Sequence, residues 1–151
     1  MRLDDLPEQL ITLGLAAEAT ITPCTPAEVD EVRASHGVDT LSEPYERFLL
    51  LMGRGAGELL RGTDIYYPTA LNLAEYTEEY LAENDVAHLF APGSIVVAMH
   101  QGYHVSWIEP SGVVHENVEP DTTIHKTWPG MADWLLTYAQ AQRASRDRYR
   151  T

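Results

Sequence analysis

The sequence lacks several features that would assign it to a specialised class of protein. Its 151 residues include one cysteine, Cys24, so no disulfide bond can form within the chain, and a reducing compartment is the default expectation. No apolar run approaches the roughly 18 residues that a membrane-spanning helix needs. Residues 1–10 are acidic and contain no apolar signal core, which argues against secretion. We therefore expect a cytoplasmic protein without a membrane segment.

Basic residues are also scarce. The chain has 10 lysines and arginines against 23 aspartates and glutamates, a net charge of -13. Residues 1–138 hold 22 acidic and six basic residues, a net charge of -16, whereas residues 139–151 are arginine-rich. Because an acidic body repels phosphates, we expect no direct binding to nucleic acid. The same charge attracts basic proteins and speeds their association, although simple solubility also explains it.

Sequence motifs of common enzyme classes are absent as well. The chain contains no G-x-S-x-G, no phosphate-binding loop, no H-E-x-x-H and no dinucleotide fingerprint. The glycine-rich stretch Gly53–Gly57 follows a predicted helix, whereas a phosphate cradle opens one, so we interpret it as a turn. We expect no catalytic residue and no cofactor. An enzyme would require a pocket in which polar groups converge.

The six histidines do not form a compact set of metal ligands in the sequence. A two-residue turn at Gln101-Gly102 would direct His100 and His104 to opposite faces of a sheet, so that they share no site. His115 and His125 are separated by an acidic loop, and this spacing does not provide the fixed tetrahedral set that zinc requires. We therefore expect no metal site.

Periodicity and breakers predict a single α+β domain over residues 1–151. We expect a mostly antiparallel twisted sheet of about four to six strands, with helices packed mainly on one face. The predicted helices cover residues 3–19, 25–36, 42–52 and 72–84 and a segment capped by Thr127, before a polar arginine-rich tail at about 140–151. Strands are predicted at 57–60 and 64–67 and in a meander at 94–100, 103–108 and 113–118. The predicted core contains Phe48, Leu49, Val97, Trp107, Trp134 and Leu135.

Helix ends are the best-marked local features. Thr25, Pro26 and Glu28 provide a capping oxygen, a proline at the first helical position and a glutamate three residues after the cap. Gly37 is expected to end that helix, and Ser42 to cap the next. These signals predict a helix, a short loop, a second helix and then a glycine-rich turn.

The order of these signals resembles a known family. A helix that ends at His36-Gly37 is followed by Leu41, by Tyr45 in the next helix and by the pair Phe48-Leu49. The family pattern has a helix ending near glycine, a Leu-Pro pair, an acidic and aromatic helix start, a Phe-Leu pair and an Asn-Gly-Gly turn, in whose place this chain has Gly53-Arg54-Gly55. Over roughly residues 20–140 the chain therefore resembles the SUKH superfamily, which includes yeast cell-wall-assembly regulators and many bacterial toxin-immunity proteins.

The resemblance implies a binding function. Its leading form is an immunity protein that neutralises a cognate toxin, often a nuclease, by covering the active site without any chemistry. The partner would be a basic toxin domain, whose phosphate-binding groove an acidic surface complements. Two alternatives stay open: an adaptor or regulatory scaffold unrelated to toxins, and a small enzyme. The oligomeric state is left open.

The predicted helix over residues 72–84 offers a candidate partner surface. Its acidic residues have no interspersed lysine, so they gain no i,i+4 pairing and repel one another. A solvated face is the alternative interpretation. Tyr66 and Tyr67 precede this helix and could anchor a contact if exposed, although strand alternation would leave only one of them facing outward. The predicted partner-binding residues are Glu75, Glu78, Glu79, Glu83, Asp85, Tyr66 and Tyr67.

Overall fold

The computed structural model describes residues 1–149, which contain five α-helices and six β-strands. The helices are α1 (Leu6–Thr12), α2 (Pro26–Ser35), α3 (Glu43–Met52), α4 (Leu73–Glu83) and α5 (Met131–Tyr149). The strands are β1 (Ile21–Thr22), β2 (Gly55–Ala56), β3 (Ile95–His100), β4 (His104–Ile108), β5 (Val114–Val118) and β6 (Lys126–Trp128). Among the described residues, no helix is both long enough and apolar enough to cross a bilayer.

The strands form two antiparallel sheets. β1 pairs with β2, and β3, β4, β5 and β6 form a four-stranded sheet in which each strand neighbours the next in sequence. The predicted α+β class and the antiparallel meander are therefore confirmed. Trp134 of α5 donates to Glu116, whereas Tyr80 of α4 donates to the adjacent Asn117. Because successive strand residues point to opposite faces, these two helices contact opposite faces of the sheet.

The helix signals around Thr25 act as predicted. The Thr25 hydroxyl accepts from the Glu28 backbone N–H at 3.2 Å, and the Glu28 carboxylate accepts from the Thr25 N–H at 2.9 Å. Gly37 has φ +68° directly after the helix, as a glycine stop requires. Ser42 occupies the position before α3, but its side chain makes no capping hydrogen bond. The sequence thus located both helices, and only one of the two caps works through its side chain.

The prediction of a first helix over residues 3–19 is wrong, because the helix in the structure is much shorter. It consists of a 3-10 turn at Leu3–Asp5 and then α1, which ends at Thr12. Gly14 adopts φ +72°, and the Leu15 N–H bonds back to the Leu10 carbonyl at 2.9 Å. This left-handed closure satisfies a terminal carbonyl and redirects the chain, so the helical register cannot continue to residue 19.

The two predicted strands at 57–60 and 64–67 are also wrong. The strand in this region is β2, two residues earlier, and residues 57–60 form turns. Asp64 makes only an isolated antiparallel bridge to Met99. Gly57 has φ +63° and a backbone so close to Leu15 and Ala16 that no side chain fits there, which ends the strand.

The loop between β3 and β4 has three residues, not the predicted two. His100 pairs directly with His104, and Gln101 and Gly102 both have positive φ, at +50° and +77°. A shift of one residue moves every following side chain to the other face. His100 and His104 therefore lie on the same face of the sheet, and the expectation that they are separated is wrong.

The segment before α5 differs from the prediction as well. Thr127 lies within β6 instead of capping a helix, and α5 begins at Met131. Tail residues 140–149 continue α5; residues 150–151 lie outside the described residues. Arg143 and Arg146 donate to the Leu13 and Gly14 carbonyls, both at 2.7 Å, so the tail is held against the end of α1.

The predicted core is confirmed. Phe48, Leu49, Val97, Trp107, Trp134 and Leu135 are all buried. Trp107 stacks on Phe90 with ring centroids 4.2 Å apart, and Trp134 meets Tyr138 edge to face at 6.2 Å. The first contact packs the segment before β3 onto strand β4, and the second lies within α5.

Candidate functional site

The predicted acidic residues of α4 form a continuous exposed surface. We call it the acidic face: Glu75, Glu78, Glu79, Glu83 and Asp85, all of which are exposed. None of the five forms an ion pair within residues 1–149. Acidic residues elsewhere in the described chain do pair with arginine, as Glu28 does with Arg54 and Glu58 with Arg146. The negative charge of the acidic face is therefore uncompensated.

A groove of about 320 Å³ runs along the acidic face. Glu79, Glu83 and Tyr76 of α4 form one wall, and Asp64 and the Gln101-Gly102 turn form the other. The Asp64 backbone is fixed by two hydrogen bonds to Met99, at 2.8 and 3.0 Å. Sequence reasoning missed Asp64, because it joins the acidic face only through this bridge to a strand 35 residues later.

The orientation of α4 is set from inside the molecule. Leu73 and Tyr80 are buried, and the Tyr80 hydroxyl donates to the Asn117 side chain of β5. Burial, assisted by the charge of Glu119, raises the pKa of Tyr80 to about 12, so this hydroxyl stays a donor. Asn84, just after the helix, donates to Glu119 at 2.6 Å. These bonds turn the opposite, acidic side of α4 to the solvent.

Neither predicted tyrosine contacts the acidic face. The Tyr66 hydroxyl donates to the Leu59 carbonyl at 2.7 Å, and burial raises its pKa, so Tyr66 is a core-edge residue. The Tyr67 hydroxyl donates to Glu31, and the Arg54 guanidinium lies 5.1 Å above its ring. Tyr67 thus belongs to a second surface near α2. Arg54 also binds Glu28, and its hydrogen bonds lower the pKa of that carboxyl to about 2.

A second concave feature has a cavity of about 340 Å³ between the four-stranded sheet, α5 and the segment at residues 60–63. We call it the Glu116 pocket. Its floor is the cross-strand row Ala98, Ser106 and Glu116, beside the His100–His104 pair. The α5 side contributes Trp134, Tyr138 and Gln142, and the third side contributes Leu60, Arg61 and Thr63.

Glu116 is buried and surrounded by donors. Its Oε2 accepts from Ser106 at 2.8 Å and from Trp134 at 3.0 Å, and the Tyr138 hydroxyl lies 2.8 Å from both oxygens. His104 Nε2 is 3.0 Å from Oε1, but the two atoms do not form a well-aligned hydrogen bond. The carboxylate thus has about as many partners as it has lone-pair sites.

The electrostatics of Glu116 follow from these contacts. Burial alone raises its pKa, but His104, Trp134 and Tyr138 outweigh burial and leave the pKa below its ordinary value. The pKa of Tyr138 is raised in turn, by burial first and then by the neighbouring carboxylate. Glu116 is therefore an ionised buried group held by neutral donors and one histidine.

The other chemically capable side chains have structural environments. His115 lies between Thr127 (2.7 Å) and Glu109 (2.8 Å), and His125 is exposed and does not join them. Burial raises the pKa of Cys24 to about 11, so its thiol is not a ready nucleophile. Burial lowers the pKa of His36 to about 4, which keeps it neutral. Within the described residues, no three histidine, cysteine or acidic side chains converge on one point where a metal ion would fit.

Sequence reasoning missed the Glu116 pocket. Its only local signal is a glutamate in a strand whose neighbours Val114 and Val118 are apolar, with Trp134 and Tyr138 one helical turn apart in α5. The pocket exists because three segments distant in sequence meet, and because the loop at Gln101 brings His104 to the pocket face.

Comparison with known proteins returns no matching family model, no matching curated protein and no matching solved structure.

Proposed function

We propose that this chain is a non-catalytic protein-binding domain that recognises a basic protein through its acidic face. One observation carries the proposal: five exposed carboxylates on and after α4 have no ion-pair partner within residues 1–149. Two of them, Glu79 and Glu83, line a groove that Asp64 makes more acidic. Like charges four residues apart destabilise a helix by a few tenths of a kcal/mol. Retaining them is consistent with a use outside the fold.

The narrower proposal is that the partner is a basic toxin domain and that the chain is its immunity protein. The SUKH-like order of His36-Gly37, Leu41, Tyr45 and Phe48-Leu49 supports this narrower form. A nuclease binds phosphates in a basic groove, and a surface of carboxylates would occupy that groove and exclude the substrate. Charge complementarity would also speed the encounter, which matters for a toxin that must be neutralised quickly.

The test is protection of growing cells. A basic toxin domain encoded next to this chain is expressed with the parent chain, with Glu78→Lys/Glu79→Lys, or with the matched control Asp39→Lys/Asp121→Lys. Both variants change the net charge equally, and the control residues are exposed and form no ion pair within residues 1–149. We expect the parent and the control to restore growth and the α4 variant to fail. Equal protection by both variants would contradict the role of the acidic face.

If the chain is instead an adaptor that binds a different basic protein, the growth assay would give a different result. The parent chain would then fail to protect against the neighbouring toxin, while the Glu78→Lys/Glu79→Lys change would still abolish binding to that other partner. The growth assay and a direct binding assay together therefore distinguish a wrong partner from a wrong surface.

A further inference from the structure

The Glu116 pocket is separate from the acidic face and has its own chemistry. Its lining includes the apolar residues Leu60, Ala98 and Trp134, and its volume of about 340 Å³ is within the range of small-molecule sites. Polar groups reach it from a strand pair, a helix and a loop. The question is which of these groups remain available to a ligand.

Most of the polar groups are already used within the fold. The Glu116 carboxylate accepts hydrogen bonds from Ser106, Trp134 and Tyr138, and it lies beside His104. Gln142 accepts from the Leu60 backbone N–H at 2.8 Å and donates to the Glu58 carbonyl at 2.8 Å. The carboxylate is thus not free to receive a cationic ligand, and the Gln142 amide is held in place at both its oxygen and its nitrogen.

The groups that remain are cationic or able to donate. Arg61 is exposed and pairs with no carboxylate among residues 1–149, although six other arginines of this acidic chain do. Its guanidinium makes one long contact, 3.4 Å to the Gly57 carbonyl. His100 Nδ1 lies 3.0 Å from the Thr63 hydroxyl; in the tautomer for which that hydroxyl donates, the opposite ring nitrogen carries the N–H.

From these groups we infer that the Glu116 pocket binds a small organic anion, with its carboxylate at Arg61 and His100 and its apolar body against Leu60 and Trp134. The buried carboxylate of Glu116 is a positioning group in this site. It holds His104, Tyr138 and Trp134 in place, and its own oxygens are satisfied before the ligand arrives. The inference is independent of the proposed protein partner, because neither Arg61 nor His100 belongs to the acidic face.

The test uses three probes that share an indole ring and differ in charge: indole-3-acetate, indole and tryptamine. Binding at pH 7 is followed by NMR through the Trp134 indole N–H and the His100 and His104 ring signals. We expect saturable shifts for indole-3-acetate with a dissociation constant of about 0.1–1 mM, the range for a small ligand in a modest pocket. Tryptamine should bind at least about tenfold more weakly, because it meets Arg61 instead of a free carboxylate.

Two variants complete the experiment. Arg61→Met removes the charge at an exposed position and should weaken indole-3-acetate about tenfold, the loss of one charge-assisted hydrogen bond. Arg47→Met is the control, an exposed arginine that pairs with Asp4 and does not line the Glu116 pocket. The inference is overturned if tryptamine binds as tightly as indole-3-acetate, or if Arg61→Met binds indole-3-acetate as tightly as the parent does. It is also overturned if indole-3-acetate gives no saturable shift at a concentration about tenfold above the expected dissociation constant.

Discussion

Replacing Glu116 by glutamine removes a buried charge and keeps the size of the side chain. The carboxylate accepts hydrogen bonds from Ser106, Trp134 and Tyr138. All three donors reach Oε2, so an amide oxygen at that position has two lone pairs for three donors, and at least one donor loses a full acceptor. A buried donor without an acceptor costs about 1–3 kcal/mol, and the bonds that survive lose their charge assistance. We expect Glu116→Gln to lower the free energy of unfolding by about 2–4 kcal/mol at pH 7.

The pH dependence provides a second, independent readout. The folded state lowers the pKa of Glu116 below its ordinary value, here taken as 4.5. The ionised carboxylate therefore contributes stability above pH 4.5, and this contribution is lost as the pH falls through the lower, folded-state pKa. The stability difference between the parent and Glu116→Gln should be largest near neutral pH and should shrink in acid.

Urea denaturation followed by tryptophan fluorescence measures both effects. Glu79→Gln is the control, because it makes the same chemical change at an exposed residue and should shift stability by less than about 0.5 kcal/mol. If Glu116→Gln is as stable as the parent at pH 7, or if the difference is the same at pH 7 and pH 3, Glu116 does not hold the charge and contacts described here.

Three further predictions concern the fold. Phe48 is fully buried, so Phe48→Ala should cost about 3–5 kcal/mol in urea denaturation; an unchanged midpoint would mean that α3 is misplaced. Thr25→Ala removes the capping hydroxyl of α2 and should cost about 1 kcal/mol in the same assay, whereas no loss would show that the reciprocal Glu28 bond suffices. Cys24, with its pKa raised to about 11 by burial, should resist iodoacetamide at pH 7.5 until the chain is unfolded; rapid native-state labelling would refute that burial.

The sequence was informative where a local rule decides the structure. The Thr25 capping box, the glycine after α2 and the apolar positions of α3 and α5 each act within one helical turn, and all are found as predicted. The register of the β3–β4 hairpin was not predictable in this way. It depends on Gln101, which adopts a left-handed conformation that residue preferences assign to glycine or asparagine.

In the candidate sites too, local sequence rules predict some features, whereas others depend on the tertiary structure. The exposure of the acidic face follows from helical periodicity, because Leu73 and Tyr80 fix the opposite side in the core. Asp64 and the Glu116 pocket depend on contacts between segments far apart in sequence, which composition and spacing do not encode. The placement of Tyr66 and Tyr67 in contacts with Leu59 and Glu31 likewise required the tertiary structure.

The measurement that tests the central proposal most directly is the rate of association with the basic toxin domain at low and moderate salt. Stopped-flow mixing compares the parent, Glu78→Lys/Glu79→Lys and the control Asp39→Lys/Asp121→Lys. We predict that the α4 variant associates at least about tenfold more slowly at low salt, and that its rate depends less on salt than that of the parent. The control should retain most of the parent's rate and salt dependence. Equal rates for the parent and the α4 variant at both salt concentrations would contradict the proposal and make the acidic face a merely solvated surface.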